Sequence, residues 1–147
     1  MAQSFTVSRV CSIEPALRAL VDDASAEGFG FMGRLVSAWE EGSNRFDREG
    51  EAYFAVWRGN KMVGAGGLNR DPYSPHATVG RVRHLFVSPS ARRSGAGSAL
   101  MRVIVEHARC EFDTLRLRTT TPRGAAFYEA LGFKRDGAAD ASHILRF

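Results

Sequence analysis

The sequence predicts an α/β fold built around a mixed β-sheet, and three observations lead to that prediction. The hydrophobic pattern changes repeatedly between a helical and an extended period along the chain. The length of 147 residues suits one domain with a sizeable core. The stretch "RRSGAGSAL", residues 92–100, is a glycine-rich connection from an extended segment to a helical one, as in many α/β proteins. No repeat, linker or low-complexity tract divides the chain, so we expect a single domain over residues 1–147.

The N-terminal part is predicted to form one strand and two helices. "FTVSRV" alternates as a short strand. In the next segment, Ser12 is the expected N-cap of a helix and Gly28 its stop. The apolar face of this helix consists of Leu17, Leu20, Val21 and Ala24. A second helix, "FMGRLVSAWEEG", carries Phe31, Leu35 and Trp39.

The middle of the chain is predicted to form three strands. "EAYFAVWRGNKMVGAGGL" indicates a hairpin, because Gly59 and Asn60 stand between two apolar runs and suit a tight turn with positive φ. "ATVGRVRHLFV" indicates a third strand, which Pro89 ends.

Helices and strands alternate after the glycine-rich stretch. "GSALMRVIVEHARC" is helical, and its apolar stripe holds Leu100, Val103, Ile104 and His107. "DTLRLRTT" alternates as a strand, "RGAAFYEALGF" forms a short helix closed by Gly132, and "SHILRF" forms a last strand. The predicted order is strand, two helices, three strands, helix, strand, helix, strand.

Composition excludes several classes of protein. No run approaches the roughly 18 apolar residues of a membrane span, and "MAQSFTVSRV" lacks the features of a secretory signal, so we expect a cytoplasmic protein without membrane contact. Cys11 and Cys110 have no CxxC or His-rich company, which predicts neither a metal site nor a disulfide. The net charge of +4 suits a phosphate-bearing ligand but is too small to predict nucleic-acid binding.

The glycine-rich stretch favours a phosphate site. Two glycines close to a helix start let the backbone approach a bulky group, with free N–H groups and the helix dipole directed at it. A nucleotide-hydrolysing P-loop would need Lys and then Ser or Thr after the second glycine, but Ser98 and Ala99 follow Gly97. A dinucleotide fingerprint would need a small residue where Leu100 stands. The spacing that matches is Arg-x-x-Gly-x-Gly, at Arg92, Gly95 and Gly97.

At these residues the sequence resembles the GNAT superfamily of N-acetyltransferases. "LFVSPSARRSGAGSALM" is similar to the acetyl-CoA signature of that superfamily, and "AAFYEALGF" is similar to its second signature, a short helix with a tyrosine followed by a Gly-Phe turn. One helix and one strand separate the two, as in the superfamily, and the order of elements also agrees. The resemblance implies a GNAT fold with splayed central strands near residues 81–87 and 113–119, and a splay that begins close to Leu85 or Phe86. It covers residues 50–147 strongly and the N-terminal helices only by order.

The resemblance also implies the residues that hold acetyl-CoA. The main chain of Leu85, Phe86 and Val87 would pair with the pantetheine arm and offer an N–H to the acetyl oxygen. The glycine loop would hold the pyrophosphate through its N–H groups and through the guanidinium of Arg92 or Arg93. The loop consists of Arg92, Arg93, Ser94, Gly95, Ala96, Gly97 and Ser98. No metal is implied.

Tyr128 is the candidate catalytic acid, because the resemblance places its hydroxyl at the CoA sulfur, where it would protonate or hydrogen-bond the leaving thiolate. A half-buried packing role is the alternative. Many relatives carry an asparagine at the start of this helix, where Thr121 stands here; its hydroxyl can still cap the helix.

The general base is not evident. Strict alternation puts Arg81 and Arg83 on one face with Leu85 and Val87, without a carboxylate, and turns His84 to the other face unless a β-bulge intervenes. Asp71 and His76 are weaker candidates in the preceding loop, and a water chain or an amine that arrives deprotonated would need no base. Arg81 and Arg83 are either solvated and ion-paired or bind an acidic group of the acceptor.

The expected function is therefore acetyl-CoA-dependent N-acetylation of a small-molecule or peptide amine. A non-catalytic acetyl-CoA-binding or regulatory domain is the alternative, since it would keep the glycine loop and lack an acceptor. A nucleic-acid binder is disfavoured, because the aromatic residues are not interleaved with a long basic stripe. The acceptor and the oligomeric state, a homodimer included, stay open.

Overall fold

A computed structural model describes residues 4–147 of the chain, which contain seven strands and four α-helices. The first part contains β1 (Thr6–Arg9), α1 (Pro15–Ala26) and α2 (Phe31–Glu41). The middle contains β2 (Ala52–Arg58), β3 (Lys61–Arg70) and β4 (Val79–Val87), and a short 3₁₀ turn, Pro89–Ala91, follows. The last part contains α3 (Ala96–Glu111), β5 (Thr114–Leu117), α4 (Pro122–Ala130), β6 (Lys134–Arg135) and β7 (His143–Arg146).

The predicted order of elements is confirmed, with two additions and one correction. The sequence did not predict the 3₁₀ turn or β6, whose two residues are charged and exposed and carry no hydrophobic pattern. The expected N-cap at Ser12 is wrong. Glu14 is the N-cap of α1 and Pro15 the first helical residue, a position that suits proline because its φ is preset and it needs no N–H donor there.

The fold class is confirmed, since the strands form one mixed sheet in the order β1-β2-β3-β4-β5-β7-β6. Only β4 and β5 are parallel, and their pairing covers Val79↔Thr114, Gly80↔Leu115 and Arg81↔Arg116. From there β4 continues to Val87 with no partner strand on its β5 side within residues 4–147. The splay therefore begins after Arg81, earlier than the expected position at Leu85 or Phe86.

Helices cover both faces of the sheet. Helices α3 and α4 pack on one face, around a core that includes Leu100, Ile104 and Leu115. Helices α1 and α2 pack on the other face, around a core that includes Leu20 and Leu35. Burial of these apolar side chains supplies the main driving force for folding, and the splay lies between the two layers.

A β-bulge in β4 changes which side chains face each layer. Between the pairs Gly67↔Arg83 and Ala65↔Phe86, the single residue Gly66 of β3 lies opposite two residues of β4. One of those two is His84, whose φ is +52°. The extra residue resets the alternation, so that Phe86 belongs to the α1/α2 core while Leu85 and Val87 pack against the α3/α4 core.

Tyr53 holds the bulge from two strands away. Its hydroxyl donates a hydrogen bond of 2.7 Å to the carbonyl oxygen of His84. Tyr53 lies on β2 opposite Gly67 of β3, where a Cβ would come within 2.4 Å of the Tyr53 ring and 2.6 Å of the Phe46 ring. The missing side chain at Gly67 is therefore what lets the Tyr53 ring cross β3 and reach β4.

Candidate active site

The glycine loop leads into a helix N-terminus that no side chain caps. Gly95 is the N-cap of α3 with φ +94°, a conformation that favours glycine. The bond from Ala99 N–H to the Gly95 carbonyl, 3.0 Å, is the first of the helix, so the N–H groups of Ala96, Gly97 and Ser98 have no intrahelical partner. No side chain caps this end and no acidic residue lies in its first turn. Free N–H groups at the positive end of a 16-residue helix suit an anion such as a pyrophosphate.

Gly97 also serves the packing of α3 on α4. A Cβ at Gly97 would lie 3.2 Å from Phe127 Cζ and 3.6 Å from Val87 Cγ2. At Gly95 a Cβ would meet only Phe5 Cε2, at 3.9 Å. The two glycines therefore have different roles in the folded chain, since Gly97 permits a helix contact and Gly95 permits the positive φ of the loop.

The two loop arginines differ in their partners. The guanidinium of Arg92 donates two hydrogen bonds to the carboxylate of Glu27, at 2.8 and 2.5 Å, and a third of 3.2 Å to the Val87 carbonyl. The same bond lowers the pKa of Glu27. Arg93 is exposed with φ +60°, and the Ser94 hydroxyl donates to the Ala91 carbonyl. Arg92 can reach a phosphate only by leaving Glu27, and both phosphate roles stay predictions.

Main-chain groups of β4 border the wedge between β4 and β5. Leu85, Phe86 and Val87 have β3 on one side, and no strand among the described residues on the other. Their side chains pack in the two cores, as the bulge dictates. What they offer to a ligand is therefore their peptide groups, which can pair with an extended amide-containing chain as another strand would.

Tyr128 lies on α4 and its ring packs between Phe127 and Phe133, at centroid distances of 5.1 and 5.7 Å. Burial raises the pKa of its hydroxyl, which therefore stays protonated at neutral pH. The hydroxyl has no hydrogen-bond partner among residues 4–147. The hydroxyl is not fully enclosed either, because within residues 4–147 the only fully enclosed side-chain polar atom without a hydrogen bond is Nη1 of Arg81. The tyrosine is thus well packed and still has a hydroxyl available to a ligand.

The helix that carries Tyr128 is fixed at both ends. Thr121 caps its start, accepting a 3.0 Å hydrogen bond from the Gly124 N–H, as the sequence predicted. Near its end, Glu129 accepts a 2.9 Å bond from His143 Nε2 of β7, which lowers the pKa of Glu129. His143 Nδ1 meets the Ser142 hydroxyl at 2.9 Å. These contacts hold α4 against the end of the sheet.

The bulge brings His84 to the α2 side. Its Nδ1 lies 2.9 Å from the carbonyl oxygen of Phe31, the first residue of α2. Burial lowers the pKa of His84 to about 4, and the positive charges of Arg83 and Arg34 add to this effect. The ring is therefore neutral at physiological pH. Because a carbonyl only accepts, Nδ1 carries the proton and Nε2 carries a lone pair. Nε2 has no partner among the described residues, and it is not enclosed.

Arg81 is ion-paired, unlike Arg83. It lies 3.6 Å from Asp71 Oδ1, donates a 2.6 Å bond to the carbonyl of Asp140, and has Tyr73 stacked on it at 4.7 Å. Arg116 donates to the carboxylates of both Asp71 and Asp140, with Asp71 Oδ2 at 2.9 Å. Asp71 is therefore a buried counter-ion.

His76, the other weak candidate for a base, is exposed in the β3–β4 loop. Arg83 pairs with Gly67 of β3 and is half-buried. It has no acidic partner among residues 4–147. The expectation that strict alternation aligns Arg83 with Leu85 and Val87 is wrong, because the bulge intervenes between them.

The sequence reasoning missed Tyr53, whose hydroxyl donates to the His84 carbonyl at the bulge. Its only local signal was the run of glycines in "GAGGL", which indicates that another group approaches the strand closely. It also missed an open groove of about 560 Å³ between the β5–α4 turn and the β6–β7 loop, lined by Arg118, Thr119, Thr121, Ala125 and Ser142 among others. That groove lies beyond the end of β5, on the same edge of the sheet toward which β4 and β5 part.

Two absences concern the described residues alone. Within residues 4–147, no helix is long and apolar enough to cross a bilayer. The same range holds no group of three or more His, Cys, Asp or Glu side chains placed to bind a metal ion.

Comparison with known proteins agrees with this geometry. A family model described as an acetyltransferase (GNAT) domain matches residues 49–135, more than half of the chain. No curated protein sequence matches significantly.

Several solved structures share the fold. A protein of Exiguobacterium sp. 255-15, provisionally described as an acetyltransferase, is 31% identical with a TM-score of 0.85, over 97% of this chain and 93% of that one. An acetyltransferase of Streptococcus agalactiae 2603 is 17% identical with a TM-score of 0.72, over 95% of each chain. The yncA protein of Salmonella typhimurium, solved with its cofactor acetyl-CoA, is 11% identical with a TM-score of 0.71, over 97% and 93%. The last two likenesses concern the fold alone.

Proposed function

Since this chain belongs to the GNAT acetyltransferase family, we propose that it transfers the acetyl group of acetyl-CoA to a primary amine of a small molecule or peptide, by direct attack in a ternary complex. The observation that carries the proposal is the parting of β4 from β5 after Arg81↔Arg116, beside the uncapped N-terminus of α3. A wedge lined by free peptide groups next to a phosphate cradle suits a long ligand with amides and a pyrophosphate. The solved neighbour with acetyl-CoA supports the same cofactor.

The residues that would hold acetyl-CoA follow from the fit of each part. The N–H groups of Ala96, Gly97 and Ser98 bind the pyrophosphate, with the Arg93 guanidinium free to add a charge-assisted bond. The peptide groups of Leu85, Phe86 and Val87 bind the pantetheine amides. One of their N–H groups donates to the acetyl oxygen, where negative charge develops during transfer.

Acetyl-CoA supplies the acetyl group as a thioester; the amine nitrogen forms the new C–N bond, and the C–S bond breaks with its electron pair on sulfur. The Tyr128 hydroxyl donates a hydrogen bond to that sulfur. The pKa of a tyrosine hydroxyl is already above that of a thiol and burial raises it further, so Tyr128 acts as a hydrogen-bond donor more than as a full acid. We call the α1/α2 side of β4, which His84 faces, the acceptor face. The nitrogen releases its proton to solvent on that side, opposite Tyr128.

The experiment is an amine panel in which acetyl-CoA consumption is followed as free thiol, with acetyl-CoA binding measured by calorimetry. Acetylated product and stoichiometric CoA are the expected result. Tight acetyl-CoA binding without transfer to any amine would instead favour the non-catalytic binding or regulatory domain, and absence of binding would refute both.

Tyr128→Phe tests the chemistry within that experiment, because it keeps the ring in its packing and removes only the hydroxyl. We expect kcat to fall about tenfold or more while the Kd of acetyl-CoA stays within twofold, since the bond to sulfur strengthens in the transition state. Tyr73→Phe is the matched control, because Tyr73 is 58% exposed and its loss of a hydroxyl should leave kcat unchanged. Full activity of Tyr128→Phe would remove this tyrosine from the mechanism.

A further inference from the structure

Two arginines without counter-ions flank His84 on the acceptor face. Arg83 precedes His84 on β4 and is half-buried. Arg34 lies on α2, three positions after Phe31, whose carbonyl holds the His84 ring. Residues three apart on a helix share a face, so Arg34 lies on the side of α2 that bears the contact with His84. The positive charge of each lowers the pKa of His84, in agreement with this placement.

The lack of acidic partners distinguishes this pair from Arg81, Arg92 and Arg116. Arg81 and Arg116 are neutralised by Asp71 and Asp140, and Arg92 by Glu27. Neither Arg34 nor Arg83 forms an ion pair or a side-chain hydrogen bond with a residue in the range 4–147. Arg83 is partly desolvated and Arg34 is exposed. A guanidinium without a counter-ion favours a carboxylate or a phosphate, which it can bind through two parallel N–H donors.

His84 adds an uncharged acceptor between these cations. Its Nδ1–H is used by the Phe31 carbonyl, so the unpaired Nε2 lone pair is the position left for a ligand N–H. The next residue, Leu85, begins the strand segment that would hold the acetyl thioester. An amine bound at Nε2 would therefore lie beside the group that it attacks.

We propose that the acceptor is an amine that also carries an anionic group, a carboxylate or a phosphate, which Arg83 and Arg34 bind while His84 Nε2 accepts the amine N–H. This inference rests on the proposed function, because it names the acceptor class of the same reaction. The nitrogen keeps a hydrogen bond to Nε2 and loses its proton to solvent as the C–N bond forms, and the sulfur leaves with its electron pair. Polycationic amines are disfavoured, because they would place further positive charge beside both guanidinium groups.

The test compares matched acceptors that differ only in the anionic group. Glycine is compared with glycinamide and O-phosphoethanolamine with ethanolamine, with further amino acid and amide pairs, and with spermidine as the polycationic arm. We expect kcat/KM to be at least tenfold higher for the acidic member of a pair, and the carboxylate and phosphate arms show which anion is preferred. A binding measurement independent of turnover titrates N-acetylglycine and N-acetylglycinamide into the protein with CoA by calorimetry.

Variants assign the preference to residues. Arg83→Gln and Arg34→Gln should each raise KM for the acidic acceptor at least fivefold, with a much smaller change for the neutral one. Arg109→Gln is the control, because Arg109 lies in the last turn of α3 on the other face of the sheet and loses the same charge. His84→Asn keeps a donor for Phe31 and lacks the Nε2 lone pair, so it should lower kcat for both members of a pair.

The outcomes separate this inference from the proposed function. Acetylation of neutral or polycationic amines in preference to acidic ones overturns the inference and leaves the acetyltransferase standing. If N-acetylglycine binds more tightly than its amide and no amine is acetylated, the proposed acetyltransferase activity is overturned and the anion-binding role of Arg83 and Arg34 stands. Equal binding of acid and amide, or an unchanged KM in Arg83→Gln, overturns the inference.

Discussion

Acidification should destabilise this fold through His84. The pKa of His84 is about 4 in the folded chain against 6.5 for a free histidine, first because the ring is buried and then because Arg83 and Arg34 face it from β4 and α2. Between these two values the unfolded chain binds a proton at this position and the folded chain does not. Stability therefore rises with pH in this window, and the contribution of His84 is fully present above the unfolded pKa and lost as the pH falls toward 4.

The magnitude follows from the shift. One pKa unit corresponds to about 1.36 kcal/mol, so the difference between 6.5 and about 4 gives a loss on the order of 3 kcal/mol by the lower end of the window. Domains of this size are stable by roughly 5–15 kcal/mol, so the effect is a large fraction of the total. The assay is urea unfolding at several pH values, with the free energy of unfolding compared between the natural protein and a variant.

The variant is His84→Asn, which removes the titration and keeps much else. Asparagine tolerates the positive φ of this position and can donate to the Phe31 carbonyl, as Nδ1–H does. Its stability should fall less on acidification, by about the 3 kcal/mol assigned to His84. His76→Asn, at an exposed histidine, should keep the natural pH profile. Parallel profiles of the natural protein and His84→Asn, or an NMR titration of His84 near 6.5, would refute the reasoning.

Three further substitutions test other parts of the structure. Gly95→Val should weaken acetyl-CoA binding about tenfold or more, which is about 1.4 kcal/mol. Gly59→Val is the control, because Gly59 also has a positive φ but lies in an open turn, so this variant should carry only the backbone strain. Equal affinities of the two variants by calorimetry would contradict the cradle. Gly67→Ala should destabilise the fold by about 1–3 kcal/mol in urea unfolding, because its Cβ meets the Tyr53 ring at 2.4 Å, and unchanged stability would show that the ring moves freely. Tyr53→Phe leaves the His84 carbonyl without its donor and should lower the free energy of unfolding by about 1–3 kcal/mol; an unaltered midpoint would mean that water replaces the hydroxyl.

Local patterns predicted most of the element order. The stripe on α3 and the hairpin at Gly59 depend on residues close together in sequence, and φ at Gly59 is +60° as a tight turn requires. The cap of α4 at Thr121 is equally local. The site residues of the glycine loop follow from one short motif, which the structure places at an uncapped helix start.

Contacts distant in sequence account for what could not be predicted. The partner of Arg92 is Glu27, which lies 65 residues earlier, at the C-terminal end of α1. The bulge at His84 exists only relative to β3, where Gly66 faces two residues, so the sequence of β4 alone reads as regular alternation. Because of that extra residue, Leu85 and Val87 lie on the opposite face of the sheet from Arg83, and His84 contacts α2.

The number of residues in β4, more than the identity of the side chain at His84, determines where its pairing with β3 becomes irregular. A substitution at His84 changes the chemistry there but keeps two residues opposite Gly66. Deleting His84 would restore one-to-one pairing, and Arg83, Leu85 and Phe86 would remain on the faces that they now occupy, because the residue removed is the one outside the alternation. An insertion or deletion of one residue is therefore the change by which evolution or design could straighten this strand while leaving both cores intact.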